Sequence, residues 1–162
     1  MPQVSTVPPE ALPQIPSALQ MEHRVIHAAR LRAARAPGDI GTAARELAGA
    51  LHDHFVREEE IALPPLGLLA ALARGEFTPE MRAVLPMTEA LRAELPRMLD
   101  EHQAIHAATR RLGEVARKAG NAEVQQLAEA LALHAQSEEE VFYPAALLVG
   151  EVVESRSQAH GS

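Results

Sequence analysis

Four stretches of the chain place apolar residues at alternating steps of four and three. That spacing keeps one face of an α-helix against a core. The first seam reads Leu19, His23, Ile26. The second reads Leu47, Leu51, His54, Glu58, Ile61, Leu68, interrupted by Pro64 and Pro65. The third reads Leu91, Leu95, Met98, His102, Ile105, Thr109, Leu112, and the fourth Leu127, Leu131, His134, Glu138, Val141, Ala145, Leu148. Apart from Thr109, each seam is apolar except where a histidine or glutamate interrupts it.

Turn chemistry bounds the elements. The first helix is expected from about Ser17 to Arg35, stopping at "APGD". The second starts near Asp39 or Thr42 and runs past Glu60. The third covers about Thr88 to Ala119, with Pro96 expected to kink it or mark a late start. Gly120 suits a helix C-terminus and Asn121 a cap for the fourth helix, which runs to about Gly150. Residues 64–87, rich in proline and glycine, read as an irregular crossover with a short helix through "LGLLAALA". Residues 1–16 read as a proline-rich arm, over the domain or free in solvent. Residues 151–162 read as a polar, frayed tail.

The two halves repeat. "EHRVIHAA" (22–29) matches "EHQAIHAA" (101–108) at an offset of 79, and "ALHDHFVREEEIALP" matches "ALALHAQSEEEVFYP" at an offset of 80. A duplicated helix pair predicts an all-α, antiparallel up-down four-helix bundle over 17–150, with a pseudo-two-fold internal repeat.

Composition fits that fold. The 162 residues are 47% hydrophobic and only 2% aromatic, so an aliphatic, helix-favouring core is expected. The formal charge of −7 disfavours nucleic acid and anionic membranes as partners. No apolar run approaches the roughly 20 residues that span a bilayer. The first residues lack a basic segment followed by an apolar one, so they do not read as a secretory signal, and a cytoplasmic location is expected. With no cysteine, disulfides and thiolate metal sites are excluded.

The polar residues on the seams supply the candidate chemistry. His23, His54, His102, His134, Glu58 and Glu138 all point into one interior, while no Lys or Arg stands on the seam beside either HxxxE. Any one of them alone reads as a hydrogen-bonded core residue or a solvated charge. Two buried carboxylates without a cation are costly, so the joint pattern predicts a bound metal. Residues i and i+4 stack on one helical face, so a His and Glu of one helix reach the same site. Imidazole and carboxylate suit Fe, Zn or Mn, and carboxylates from two helices can bridge two ions. His27 and His106, one turn after His23 and His102, are expected to swing inward as further ligands. Glu22 and Glu101 either orient imidazoles on neighbouring helices or face solvent. Without metal, desolvation is expected to push the carboxylates towards neutrality and the histidines away from charge. Metal should therefore raise the melting temperature at neutral pH, with the gap shrinking as histidines protonate.

The order H…HxxxE…H…HxxxE, with "EHxxIH" on helices one and three and "HxxxEExxx(F/Y)P" on helix four, resembles the hemerythrin-like, HHE cation-binding domain family. The resemblance covers about residues 17–150. It implies two iron ions in a carboxylate- and oxo- or hydroxo-bridged centre, with Zn or Mn as other occupants. Matched by motif, His23, His54, Glu58, His102, His134 and Glu138 would be ligands, Glu58 and Glu138 the bridges. His106 matches the second histidine of an HxxxH found in oxygen carriers. The chain departs from those carriers: HxxxE replaces HxxxxD on the last helix, His27 is an addition, and only Phe55, Phe77, Phe142 and Tyr143 could line a pocket with aromatics. The resemblance thus implies the bacterial HHE proteins, associated with oxygen or redox sensing, nitric oxide, peroxide and iron handling. The ExxH phrases of ferritin-like sites and the HExxH of zinc proteases are absent.

Three functions follow as expectations. The first is a non-haem di-iron protein that binds or reduces O2, H2O2 or NO; as an enzyme it would be an oxidoreductase of peroxidase, catalase or ferroxidase type. The second is a non-catalytic sensor or partner-binding bundle stabilised by metal. The third is a structural zinc bundle.

Overall fold

The computed structural model describes residues 12–159. Its helices are α1 (Ser17–Ala34), α2 (Gly38–Arg57), α3 (Leu69–Ala73), α4 (Leu85–Lys118), α5 (Ala122–Ser137) and α6 (Tyr143–Ala159). Short 3-10 segments at Pro64–Leu68 and Pro79–Val84 flank α3 in the crossover. There is no strand among the described residues. A π-turn at Glu58–Ala62 ends α2, and a second at Glu138–Phe142 joins α5 to α6 as one rod.

The packing gives the direction of each helix. One apolar layer holds Ile26, Leu47, Leu51, Ile105, Leu112 and Leu131. A second holds Ala62, Leu63, Leu91, Met98, Tyr143 and Ala146, with Leu19 packed against it. α2 and the α5–α6 rod run from the first layer to the second, whereas α1 and α4 run from the second to the first. Neighbours are therefore antiparallel: α1 packs on α2 and α5, and α4 on the same two. A third apolar group, including Leu68, Met81, Val84, Val149 and Val153, seals the crossover against α6. The bundle is the all-α, up-down, internally repeated fold that the seams predict.

The turn between α4 and α5 shows how local sequence fixes this path. Gly120 has φ of +67°, a conformation that costs glycine least. Its amide bonds to the Arg117 carbonyl, and that of Asn121 to Ala116, closing the last turn of α4. The Asn121 side chain then accepts from the Val124 amide at 3.1 Å and starts α5.

Three expectations change. First, α4 begins at Leu85 and contains Pro96, which therefore does not mark a late start. Second, the seams slip after each HxxxE. Val141 and Leu148 are exposed, Ile61 and Ala145 only half-buried, and Ala62, Tyr143, Ala146 and Val149 face the core instead. A π-turn takes an extra residue per turn, so every later residue on the rod is rotated. Third, residues 151–159 are not frayed. α6 continues to Ala159 with Val153 fully buried, and Arg156 donates to the Glu76 carbonyl at 2.9 Å. Gly150 permits this approach of α6 to α4, because a Cβ there would lie 2.3 Å from Thr88 Oγ1.

Of the N-terminal arm, residues 1–11 lie outside the described residues, as do 160–162 of the tail. The end of the arm lies over the domain: Ile15 packs on the second apolar layer, and Gln14 passes so close to Gly67 that a side chain there would clash. No helix of the described residues is long and apolar enough to cross a membrane.

Candidate metal centre

Between the two apolar layers lies one polar layer. His23 from α1, His54 from α2, His102 from α4 and His134 from α5 enter it, with Glu58 and Glu138 from the starts of the two π-turns. All six are at least 95% buried, so water cannot neutralise them.

Their donor atoms form two overlapping groups. His23, His134, Glu58 and Glu138 offer atoms all within 4.8 Å of one another, and so do His54, His102, Glu58 and Glu138. The two carboxylates belong to both groups. Within the histidine pairs, His23 Nε2 is 3.0 Å from His134 Nε2, and His54 Nε2 is 2.8 Å from His102 Nε2.

The other ring nitrogen of each histidine meets a carboxylate outside the layer. His23 Nδ1 bonds to Glu59 at 3.1 Å, His54 Nδ1 to Glu101 at 2.9 Å, and His102 Nδ1 to Glu139 at 2.8 Å. His134 Nδ1 lies 3.1 Å from Glu22 Oε1, off the line of a good hydrogen bond. The pattern follows the repeat. Glu59 and Glu139 hold the histidine of their own half, whereas Glu22 and Glu101 reach across to the other half. Arg57 anchors Glu101 in turn, at 2.7 Å. A carboxylate on Nδ1 favours the tautomer whose Nε2 lone pair is free.

This arrangement fits a cation. With Nδ1 protonated, paired Nε2 atoms at about 3 Å present lone pair to lone pair, which only a proton or a metal between them relieves. Glu58 Oε2 and Glu138 Oε1 are buried without a hydrogen-bond partner of good geometry, though Oε1 of Glu138 lies 2.7 Å from His134 Nε2. Buried carboxylate oxygens left open towards imidazoles are the donors a metal takes up.

The electrostatics differ from expectation. Burial pulls the His102 pKa down, but hydrogen bonds with Glu138 and Glu58 more than reverse this, and it rises to about 10. Burial and Glu138 oppose each other in the same way at His134, which rises to about 9. His23 and His54 are also raised, by Glu138 and by Glu58 respectively, against burial. Burial would raise the Glu138 carboxyl, yet His102, His134 and His23 hold it well below the usual range. Desolvation therefore does not decide the charge states, because each imidazole meets carboxylates on both ring nitrogens. Protons hold this cluster together where metal does not.

Tyr143, one of the four aromatics that could line a pocket, enters the polar layer as a hydrogen-bond donor, a role its spacing does not show. Its hydroxyl donates to Glu58 Oε1 and lies 3.1 Å from His102 Nε2. Burial and the two carboxylates raise its pKa, so it stays protonated. In the repeat its position belongs to Leu63, and the mate of Phe55 is Ala135. Phe55 stacks on His23 with ring centroids 4.7 Å apart. The two ends of the cluster are thus unlike: a hydroxyl borders the His54–His102 pair and a phenyl ring borders the His23–His134 pair.

Two further histidines expected as ligands lie outside both groups. His27 is exposed, with Nδ1 accepting from Arg30 at 2.9 Å. His106 is half-buried, 3.4 Å from Glu139 Oε1. Both sit one step off the seam, and nearer polar partners take them. His52 is exposed, as its distance from the seam requires, and His160 lies outside the described residues.

Two spaces adjoin the cluster. A void of about 10 Å3 lies between His54, His102, His134 and Glu138 and the apolar residues Leu51, Ile105 and Leu131. A cleft of about 450 Å3 reaches His23, Phe55 and Glu59 from outside.

The Hemerythrin HHE cation binding domain matches residues 14–146. The fold and the buried His/Glu layer agree with that match, and the chain belongs to this family of metal-cation-binding domains. Comparison with curated proteins and with solved structures gave no match.

Proposed function

We propose that the chain is a non-haem di-iron protein that binds or reduces a small ligand of the size of O2, H2O2 or NO. His23 and His134 would hold one ion, His54 and His102 the other, and Glu58 and Glu138 would bridge them. Iron held there would supply one-electron redox chemistry towards a small ligand.

The observation that carries the reading is the void. Its roughly 10 Å3 is room for about one water-sized molecule. His54, His102, His134 and Glu138 line it together with the apolar Leu51, Phe55, Ile105, Leu131 and Ala135. A larger substrate finds no space within this void.

The chain's own residues have separate tasks. Glu22, Glu59, Glu101 and Glu139 orient the four imidazoles, so that Nε2 faces inward. The apolar layer above the void excludes bulk water. Tyr143 keeps a proton at its hydroxyl beside Glu58 and His102, where a ligand gaining electrons needs one. Phe55 stacks on the His23 ring and holds its plane beside the cleft.

The test is anaerobic loading with ferrous iron, followed by O2, H2O2 or NO, with absorption and consumption of each followed together. A shift of the iron bands on adding one of them, with or without turnover, supports the reading. Protein that takes up zinc and no iron, or iron whose spectrum none of the three changes, contradicts it and leaves a structural metal bundle.

A further inference from the structure

Arg30 on α1 is only 6% exposed, and no carboxylate of the described residues forms an ion pair with it. One terminal nitrogen donates to the Ala48 carbonyl at 3.2 Å and the other to His27 Nδ1 at 2.9 Å. Its Nε is buried with no partner. A guanidinium has five N–H donors, so most of this one is unspent. Burying a cation without a counter-charge is strongly unfavourable, and here burial alone acts on the group.

The repeat shows that this position of a helix can be buried without a cation. At the same position in the second half stands Thr109, also buried. Arg30 lines the 450 Å3 cleft, and so does Arg24. The one acid in the lining, Glu59, is already engaged with His23. Ile15, Phe55 and Val56 add an apolar wall. The cleft is far larger than an inorganic anion and has the size of sites that hold small organic molecules.

We propose that this cleft binds a small organic carboxylate, its carboxylate on Arg30 and its apolar part against Ile15, Phe55 and Val56. The planar guanidinium fork matches a carboxylate in two parallel hydrogen bonds. The bound acid supplies the missing counter-charge, while Arg24 strengthens the field at the mouth. The site lies beside the metal layer and does not depend on what that layer does.

Calorimetric titration of the full chain tests it, with iron content measured on the same sample and the iron absorption followed throughout. The probes are hexanoate and benzoate, their amides, and nitrate. We expect at least one acid to bind at least about tenfold more tightly than its amide and than nitrate, with iron bands unchanged. Arg30→Thr, the residue of the other half, should weaken that binding by about tenfold or more, and Arg24→Gln by less. Arg30→Lys should keep part of it and shows the effect of charge if Arg30→Thr fails to fold. Acids that bind no better than amides or nitrate overturn the proposal. So does binding that survives Arg30→Thr, or that shifts the iron bands equally in both proteins, since the acid is then on the metal. Absence of iron from the sample counts against the di-iron reading alone.

Discussion

Glu139 accepts a hydrogen bond from His102 Nδ1 at 2.8 Å, although it stands one residue past the glutamate on the seam. Its mate Glu59 does the same for His23. Each EEE run thus divides its work: the first glutamate enters the metal layer, the second orients an imidazole, and the third faces solvent.

Glu139→Gln and Glu59→Gln should each weaken metal binding by about 10–100-fold while leaving the stoichiometry intact. Glu140→Gln should leave affinity unchanged. Competition against a chelator of known affinity measures this. Equal affinity in all three variants would show that the Nδ1 carboxylates do not tune the ligands.

Glu58→Ala and Glu138→Ala should lower the number of metal ions bound per chain, whereas Glu60→Ala should not. His54→Ala and His52→Ala form the same contrast on α2. Elemental analysis after desalting decides it, and a loss in Glu60→Ala or His52→Ala equal to the others contradicts the geometry.

The metal-free protein should show an unusual pH profile. His102 and His134 have folded pKa values of about 10 and 9 against an ordinary 6.5, so their stabilisation is complete below about pH 6.5 and is lost as pH rises through 9 and 10. Glu138 is depressed below 4.5, so its contribution is present above that pH and is lost as pH falls through its lower folded value. Metal-free stability should therefore peak between about pH 4.5 and 6.5 and fall towards pH 10. Metal needs the same atoms deprotonated, so loading at pH 7.5 should release protons, and the gap between loaded and metal-free melting temperatures should widen from pH 6 to pH 9. A metal-free melting temperature that climbs from pH 6 to pH 9 rules out the imidazole–carboxylate pairing.

Tyr143→Phe removes the hydroxyl that donates to Glu58 and leaves a buried carboxylate oxygen without that donor. The metal-free protein should lose about 1–3 kcal/mol of stability. The loaded protein should lose less, since Glu58 would then have a metal to bind. Denaturant titration of both forms checks this. Equal losses in the two forms would mean that the hydroxyl matters only for packing.

The sequence made the bundle legible because its seams and its repeat report the same period twice. Six residues of the polar layer could be found for the same reason: His and Glu at core spacing stand out against leucine and alanine. What stayed hidden depends on the π-turns. Five ordinary helical steps put Tyr143 well round the helix from Glu138, and only the wider turn brings it back to the core. No composition signal marks such a turn in "EEEVF" or "EEEIA". Glu59 and Glu139 were hidden because an orienting residue lies beside the seam and acts across to another helix. His27 and His106 stand one turn after His23 and His102, yet they lie outside both candidate groups, beside Arg30 and Glu139 respectively.

The function proposed above requires the six buried side chains of the polar layer to hold two metal ions through two shared carboxylates. Titration of metal-free protein with ferrous iron under anaerobic conditions, with bound metal counted per chain, tests it most directly. The account predicts saturation at two ions per chain in the native protein, and fewer than two in Glu138→Ala with the fold retained. Saturation at one ion or none, or two ions that remain after Glu58 and Glu138 are both replaced, would contradict it.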